Sequence, residues 1–361
     1  MKTAIVHYWL VSMRGGEKML EALLELFPEA DVYTHVYDKQ NISETINSHN
    51  IYTSYINKLP FAKKLYQKYL PLMPGALLDF DLSAYDLVIS SEAGPAKGVV
   101  VNPDARHICY CHSPMRYIWD QYFAYGADAS FLTRAFLRLF TPRLRVWDVT
   151  SSNLVDLFLT NSTYCASRIK RFYRRDASVV FGPVDIDRYT SSPRDVQDFY
   201  LYFGQLVSNK RPDVAIEACV MLGKKLVVAG GGNVDFYKKK YKKHKNIQFL
   251  GRVEDSAIKK LYSEARALLF PGVEDMGVIP VEAAAAGCPV IAYRKGGVMD
   301  TVKENRTGVF FDEQTPASLS KAVLHFETIE GQFSNRFFFN AHVRQFSREM
   351  FKQRVKKALS L

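Results

Sequence analysis

Two glutamates eight positions apart are the side chains of this sequence whose type and spacing most clearly suit a chemical task. Glu274 and Glu282 follow the apolar run 267–270, which predicts a buried strand. The first glutamate therefore falls in the loop after the strand, and the second lies about two turns into the next helix. Carboxylates accept hydrogen bonds in pairs, so Glu274 suits the hydroxyls of a sugar and Glu282 those of a ribose. The alternative interpretation is that the helix dipole favours the first acid and that the second lies on a solvated face. Taken by themselves, the two glutamates fit either interpretation equally well.

The loop between the two glutamates suits an anionic group. Gly277 lets the backbone approach a ligand closely, and the amides that follow it, beginning at Val278, open a helix. Amides at a helix start lack carbonyl partners and bind phosphate oxygens. One loop can therefore hold a sugar, a diphosphate and a ribose.

Lys210 and Arg211 stand at the start of another predicted helix, after the strand predicted at 200–203. The helix dipole disfavours cations at this end. A bound diphosphate would remove the conflict, because opposite charges attract strongly in a site of low dielectric constant. A solvated basic pair is the alternative interpretation.

The first half of the chain offers a pair of glycines and a histidine. Gly15 and Gly16 open an amphipathic helix and can admit an anionic group, although a plain turn explains the pair equally well. His112 directly follows the strand predicted at 107–111. Side chains at the carboxyl ends of parallel strands face the ligand, so the position favours a functional histidine over a structural one.

The elements that must position these residues are two series of short apolar strands that alternate with helices. The strands are predicted at 3–8, 87–90, 107–111 and 157–160, and then at 200–203, 225–229, 247–250, 267–270, 289–293 and 309–311. Such runs predict parallel sheets covered on both faces. The fold class is therefore α/β, with two Rossmann-like doubly wound domains whose strand ends face a central cleft.

The length of 361 residues accommodates two domains, each with its own core. The segment 181–194, rich in glycine, proline and serine, is the natural boundary. We expect an N-terminal domain over 1–182 and a C-terminal domain over 183–339. A C-terminal helix over about 340–361 is expected to pack back on the first domain.

The net charge of +11 is concentrated in segments that also carry aromatic residues, such as 61–73 and 131–147. The second contains Arg134, Arg138, Arg143 and Arg145 beside Phe136, Leu137 and Phe140. Basic amphipathic segments suit the surface of an anionic membrane leaflet, and ordinary surface helices are the alternative. No apolar run approaches the roughly 20 residues that span a bilayer, and the N-terminus enters a strand, so we expect a cytoplasmic or peripheral protein.

Composition argues against three other classes of site. Five cysteines without CxxC spacing indicate buried free thiols. The acid pairs at 79–81 and 185–187 are interpreted as turn and capping residues. No metal site is therefore expected. The lysine-rich run 238–245 is predicted to be a solvated helix face. Without a recognition helix or an RNA-binding motif, no nucleic-acid partner is expected.

The order of these motifs along nearly the whole chain resembles the retaining nucleotide-sugar glycosyltransferases of family 4, which have the GT-B fold. The motifs are Gly15-Gly16-Glu17, 111–114, 161–162, 168–169, 182–185, 204–210, 229–232, 249–251 and Glu274-x7-Glu282. The segments 112–120 and 274–282 also resemble, more narrowly, the mannosyltransferases that assemble bacterial O-antigen and related polysaccharides.

The resemblance implies a role for each matching residue. Lys210 would neutralise the leaving diphosphate, Glu274 would hold the donor sugar and Glu282 the ribose. His112 would lie beside the anomeric carbon, Gly16 near the diphosphate or the acceptor, and backbone groups near Arg252 and Val253 would read the base. Gln205 stands where the family usually has arginine, so Lys210 acts alone or shares the charge with Arg211.

The resemblance also implies partners. The first domain would bind the acceptor and the second the nucleotide-sugar donor, without a cofactor or metal. GDP-mannose is the favoured donor, and a polyprenyl-diphosphate-linked saccharide is the expected acceptor, as in lipopolysaccharide assembly. The protein would then work at the inner face of the cell membrane. A sugar-nucleotide epimerase or hydrolase on the same fold is the alternative enzyme, and a nucleic-acid-binding protein is the third alternative.

Overall fold

The computed structural model divides into two compact units. It describes residues 1–123, 130–190 and 194–360. Unit 1 consists of Met1–Pro183 together with Phe351–Leu361, and unit 2 is Val184–Met350. The residues from 340 to 350 thus group with unit 2, and only the last stretch of the chain returns to unit 1.

Unit 1 is built on a seven-stranded parallel sheet with the order β3-β2-β1-β4-β5-β6-β7. Its strands are β1 (Thr3–His7), β2 (Asp31–Thr34), β3 (Ile51–Thr53), β4 (Leu87–Glu92), β5 (Arg106–Cys111), β6 (Leu157–Thr160) and β7 (Ala177–Val179). Strands β1 and β4 are buried along their whole length, as expected of central strands covered on both faces. The four strands predicted from the sequence are therefore confirmed, and β2, β3 and β7 were not predicted.

The helices of unit 1 cover the two faces of this sheet. They are Gly15–Leu26, Glu44–Asn47, Ala62–Leu65, Met73–Ala76, Phe131–Ser151, Thr163–Tyr173 and the part of Arg348–Leu359 that begins at Phe351. The helix Gly15–Leu26 packs its apolar stripe, including Leu20 and Leu23, into the core shared with Phe351 and Val355. The C-terminal helix thus completes the core of unit 1.

The basic segment 61–73 does not form one amphipathic helix. The chain forms the short helix Ala62–Leu65, then a 3₁₀ stretch over Tyr66–Leu72. Pro71 lies inside this stretch and has no amide hydrogen to donate, so a regular α-helix cannot continue through it. The lysines and tyrosines of this segment are therefore carried by short helical pieces and not by one continuous helix.

A buried ion network attaches the long helix Phe131–Ser151 to the sheet. Lys97 Nζ lies 2.6 Å from Glu92 Oε1 and also contacts Asp148 of the helix. Trp119 donates to Asp148 Oδ2 at 2.7 Å, and Tyr173 donates to the same carboxylate. All the charges are paired and hydrogen-bonded, as buried ions must be. The loop after β4 is therefore held rigidly.

Unit 2 has a six-stranded parallel sheet with the order β10-β9-β8-β11-β12-β13. Its strands are β8 (Tyr200–Phe203), β9 (Leu226–Ala229), β10 (Ile247–Gly251), β11 (Leu268–Phe270), β12 (Val290–Tyr293) and β13 (Gly308–Phe311). Its helices are Asp187–Thr190, Pro212–Leu222, Val234–Lys240, Asp255–Glu264, Val278–Ala285, Val298–Thr301, Pro316–Ile329 and Arg336–Val343, with Arg348–Leu359 beginning in this unit. All six strands predicted for this half are confirmed. The predicted fold class, α/β with two Rossmann-like doubly wound domains, is confirmed as well.

Each sheet has one point at which the strand order changes direction. This point lies between β1 and β4 in unit 1 and between β8 and β11 in unit 2. Ligands of open α/β sheets bind beyond the carboxyl ends of the strands at such a point. The loops after these four strands are therefore the expected ligand-binding loops of each unit.

Two expectations from composition, on the cysteines and on membrane spans, can be compared with the structure. The five cysteines are all buried and free, as predicted. Among the described residues, no helix combines the length and the apolar character needed to cross a membrane.

Candidate functional site

Lys210 and Glu274 form an ion pair across the point where the sheet order of unit 2 changes direction. Lys210 ends the 3₁₀ turn Ser208–Lys210 after β8, and Glu274 lies in the loop after β11. The Lys210 Nζ atom is 2.6 Å from Glu274 Oε1, and the side chains are 24% and 21% exposed. Both charged groups can therefore reach a ligand. The structure thus brings together Glu274 and Lys210, which the sequence analysis had singled out in two separate loops.

Glycines fix the two loops that carry this ion pair. A Cβ atom on Gly272 would come within 3.1 Å of the Lys210 carbonyl oxygen, and one on Gly296 within 2.7 Å of the Glu274 carbonyl oxygen. Gly296 also has φ +93°, a conformation that side chains rarely adopt. The Gly297 amide donates to the Glu274 carbonyl at 2.8 Å. Close backbone packing thus sets the positions of Lys210 and Glu274.

The loop ends at Gly277, which caps the helix Val278–Ala285. Gly277 has φ +82° and ψ 65°, in the left-handed region that glycine enters without strain. Because glycine has no side chain to accept a hydrogen bond, the first amides of the helix receive no side-chain cap. Amides at a helix start carry partial positive charge. The arrangement at Val278 therefore suits an anionic oxygen.

Glu282 is held by a tyrosine hydroxyl. It lies within the helix Val278–Ala285, half-buried, and Tyr262 donates to its Oε2 at 3.2 Å. Burial, followed by the charge of Glu282, raises the pKa of both Tyr262 and Tyr189. Both phenols therefore keep the proton that a hydrogen bond to the carboxylate requires. The two tyrosine rings also pack edge to face, with centroids 5.8 Å apart.

Arg211 engages its own helix and not the Lys210–Glu274 pair. It adopts φ +53° immediately before Pro212, and its guanidinium donates to Asp213 at 2.9–3.2 Å and to Gln314 at 3.3 Å. The acid two residues further on therefore offsets the unfavourable dipole at this helix start. A shared role with Lys210 at a diphosphate stays a prediction.

Arg252 and Val253 follow β10 at the same edge of the sheet. Gly251, which precedes them, has φ +70° and turns the chain. Arg252 is exposed, and its Nε lies 3.6 Å from the position that a Cβ on Gly231 would occupy. The pair therefore borders the glycine-rich loop after β9, and its predicted contact with a base is not tested by this geometry.

In unit 1, His112 follows β5 directly and is anchored through its backbone and its ring. Its amide donates to the Glu92 carbonyl at 2.8 Å, and its Nε2 lies 3.0 Å from Ser91 Oγ. Burial, with a smaller contribution from His7, lowers the pKa of His112 to about 3. The imidazole is therefore neutral at physiological pH, and His112 as a whole residue is half-buried.

The glycine pair at the start of the helix Gly15–Leu26 has two different environments. A Cβ atom on Gly16 would come within 2.5 Å of the Tyr8 hydroxyl, whereas one on Gly15 would meet no atom within 4 Å. Only Gly16 is therefore required by packing. The predicted approach of an anion to Gly15 and Gly16 is not tested by these contacts.

Sequence reasoning missed a set of buried polar residues beside His112. Glu17 accepts a hydrogen bond from the Arg14 amide at 2.9 Å, and its Oε1 is 3.7 Å from His7 Nε2. His7 Nδ1 is in turn 2.9 Å from Ser91 Oγ. His7 and Ser91 face each other because they are register partners in β1 and β4. The sequence carries no signal of this register, since 84 positions separate them.

The basic segment 131–147 makes up most of the long helix Phe131–Ser151. Arg134, Arg138 and Arg143 are exposed, together with Phe131, Leu139 and Val146. Arg145 instead donates to the Ile118 carbonyl at 2.5 Å and lies over the Trp119 ring. The side chain of Phe136 lies outside the described residues. Three of the four arginines predicted to meet a membrane therefore face solvent, and Arg145 packs on its own unit.

Comparison with known proteins finds similar solved structures and a matching family model. The two-unit architecture is that of GT-B glycosyltransferases, and a solved structure of an Anabaena protein in complex with UDP matches it with a TM-score of 0.71. That match has 17% sequence identity and covers 100% of both chains. Residues 185–342 match the family model described as "Glycosyl transferases group 1". This segment, which carries the Lys210–Glu274 pair, is therefore similar to that family.

Curated relatives are similar over a smaller part of the chain. An uncharacterized glycosyltransferase of Methanocaldococcus jannaschii is 32% identical over 140 residues, which is 36% of each chain. A GDP-mannose-dependent alpha-(1-6)-phosphatidylinositol monomannoside mannosyltransferase of Mycobacterium tuberculosis is 27% identical over 195 residues, covering 45% of this chain and 50% of the relative. The chain thus spans about half or less of the length of the curated relatives it matches.

Proposed function

We propose that this protein is a retaining glycosyltransferase of family 4 that transfers a sugar from a nucleotide-sugar donor to a lipid-linked saccharide. The observation that carries the proposal is the Lys210–Glu274 ion pair at the strand ends of the segment that matches the glycosyltransferase family. A lysine for phosphate and a carboxylate for sugar hydroxyls stand side by side there. Those are the two chemistries that a nucleotide sugar presents at its reacting bond.

The charges of this site match those that develop in the reaction. Breaking the bond between sugar and diphosphate leaves positive charge on the sugar and negative charge on the nucleotide. Lys210 and the first amides of the helix at Val278 stabilise the negative charge as it grows, which lowers the barrier. Glu274 holds sugar hydroxyls, and Glu282 holds the ribose with its carboxylate oriented by Tyr262.

The other predicted residues complete the assignment. Within unit 1, His112 contacts the reacting sugar, and Gly15 and Gly16 admit an anionic group of the donor or acceptor. Arg252 and Val253 lie beside the base. Unit 1 binds the acceptor and unit 2 the donor.

Mannose from GDP-mannose is our first choice of donor, and a polyprenyl-diphosphate-linked saccharide of O-antigen or lipopolysaccharide assembly is the proposed acceptor. The motif 112–120 and the loop 274–282 support mannose, as does a relative whose name includes GDP-mannose. The solved structure that holds UDP is the reason to test other nucleotides. A thermal-shift screen with GDP, UDP, ADP, dTDP and their sugars tests the choice, because a ligand that binds the folded state raises Tm.

The screen has two informative outcomes. A rise in Tm with GDP and GDP-mannose alone supports the donor assignment. A rise with another nucleotide and its sugar rejects GDP-mannose and leaves the glycosyltransferase proposal intact. Turnover of a nucleotide sugar without any acceptor would instead favour an epimerase or hydrolase on the same fold.

We further propose that unit 1 attaches to the inner, anionic leaflet of the cell membrane through the helix Phe131–Ser151. The exposed residues Arg134, Arg138 and Arg143 alternate there with the exposed apolar residues Phe131 and Leu139. Replacing the three arginines with glutamine should weaken co-sedimentation with anionic liposomes by about 1 kcal/mol per charge. Arg145 is left unchanged because it packs on its own unit.

Three exposed lysines of unit 2 serve as the matched control for this experiment. Lys238, Lys239 and Lys242 carry the same total charge on the surface of the other unit. Their replacement by glutamine should leave liposome binding close to that of the parent. Equal loss in the two triple variants, or no binding by the parent protein, rejects attachment through this helix.

A further inference from the structure

Four side chains of unit 1 form a polar chain that ends at His112. It runs from Glu17 Oε1 to His7 Nε2 over 3.7 Å, from His7 Nδ1 to Ser91 Oγ over 2.9 Å, and from Ser91 Oγ to His112 Nε2 over 3.0 Å. Glu17, His7 and Ser91 are at most 1% exposed, whereas His112 is half-buried. The chain therefore begins in the core and ends at the half-buried residue His112.

The carboxylate at the buried end sets the direction of the chain. Burial by itself raises the pKa of Glu17, yet the pKa is lowered overall, because His7 and the amides of Glu17 and Arg14 stabilise the charge. Glu17 is therefore ionised although it is buried. The distance of 3.7 Å to His7 Nε2 is longer than a normal hydrogen bond, and a negative charge there still favours the tautomer of His7 with its proton on Nε2.

This preference passes to His112 through Ser91. In a neutral His7 with its proton on Nε2, Nδ1 is an acceptor, and the Ser91 hydroxyl donates to it. Having used its proton, the Ser91 oxygen accepts a hydrogen bond from His112 Nε2. His112 is neutral, so its other nitrogen, Nδ1, then carries a lone pair.

We infer that Glu17, His7 and Ser91 are positioning residues that hold His112 as the Nε2–H tautomer, so that His112 Nδ1 accepts a hydrogen bond from a substrate hydroxyl. Tyr110 also restrains the orientation of the His112 ring, because the two rings pack edge to face with centroids 5.1 Å apart. That the hydroxyl belongs to a sugar rests on the proposed function. The tautomer of His112 is a property of unit 1 alone.

The neighbouring serine in β4 provides a matched reference. Ser90 Oγ lies 2.9 Å from Nε2 of another buried histidine, His107, and is as deeply buried as Ser91. His107 Nδ1 lies 2.8 Å from the Leu154 carbonyl, which can only accept, so this nitrogen must carry the proton. His107 is therefore the opposite tautomer, set by a backbone carbonyl.

The test is nitrogen-15 NMR of the histidine rings in the full chain at neutral pH, where the shifts of the two ring nitrogens distinguish the tautomers. We expect His112 as Nε2–H and His107 as Nδ1–H in the parent protein. Ser91→Ala should convert the His112 signals to those of a tautomer mixture, and Ser90→Ala should leave them unchanged. A parent His112 protonated on Nδ1, or His112 signals indifferent to Ser91→Ala, overturns the inference.

The parent spectrum decides the tautomer even if Ser91→Ala does not fold, and Glu17→Gln gives a second perturbation from the far end of the chain. Glu17→Gln should also convert His112 to a mixture, whereas an unchanged single tautomer would overturn the role of Glu17.

In the transfer assay, Ser91→Ala should lower kcat/KM by about fivefold, which corresponds to the loss of one hydrogen bond, and Ser90→Ala is the control. Unchanged kcat/KM rejects the substrate contact. Failure of the proposed function would instead show as no transfer by the parent, with the NMR result intact.

Discussion

Replacing Glu274 with alanine is expected to lower kcat for sugar transfer about 10²–10³-fold, while the protein stays folded. The carboxylate is proposed to hold the sugar during transfer, so its loss removes a contact at the reacting centre. Its ion pair with Lys210 is partly exposed and contributes about 1 kcal/mol or less to stability. Steady-state rates and the melting temperature of the purified variant measure the two effects separately.

Two further variants show whether Glu274 acts at the ligand. Glu313 is an exposed acid of the same unit, so Glu313→Ala should turn over at the parental rate. Glu274→Gln should bind the free nucleoside diphosphate more tightly than the parent, because Lys210 no longer has a carboxylate competing for it. Near-normal turnover by Glu274→Ala would contradict the assignment.

Replacing Lys210 with alanine should lower kcat by about 10²-fold and change the affinity for the nucleotide sugar much less. The reason is that the leaving diphosphate gains negative charge in the transition state, so its contact with Lys210 strengthens at that point. The backbone of Lys210 is packed against Gly272, and its Nζ atom is paired with Glu274 at 2.6 Å, so the side chain is positioned before the substrate binds. The measurement is kcat and KM for the donor, together with direct binding of the nucleotide sugar.

The control for this variant is an exposed lysine of the same unit. Lys239 lies on the helix Val234–Lys240, and Lys239→Ala should leave kcat and KM unchanged. An increase in KM for Lys210→Ala with unchanged kcat would show a role in ground-state binding only. It would exclude stabilisation of the transition state by this lysine.

Most strands that were predicted from the sequence are buried along nearly their whole length, which imposes a continuous apolar pattern. Strands β8, β9, β11, β12 and β13 have such runs. The edge strand β10 alternates between more buried and less buried residues, and its apolar residues Ile247, Phe249 and Leu250 were sufficient to predict it. Strands β3 and β7 are three-residue edges of unit 1 with an exposed central residue, so burial does not shape their composition. Strand β2 is buried but begins with Asp31 and ends with Thr34, which breaks the apolar run.

The candidate site was predictable where one loop carries the chemistry, and not where the register of the sheet creates it. Glu274, Gly277 and Glu282 lie in one loop and helix, so their spacing alone indicates a ligand. The contact of Lys210 with Glu274 depends on β8 pairing with β11, which local sequence does not reveal. The pairing of His7 with Ser91 depends in the same way on β1 and β4.

The most direct test of the central claim is the transfer assay itself, with labelled GDP-mannose and a polyprenyl-diphosphate-linked saccharide. We predict that the parent protein adds one hexose to the lipid-linked saccharide, detected by mass, and releases one nucleoside diphosphate for each hexose transferred. Glu274→Ala should form both products about 10²–10³-fold more slowly. Release of nucleotide or sugar at the same rate without the acceptor, or the absence of transfer from every nucleotide sugar tested, would contradict the account.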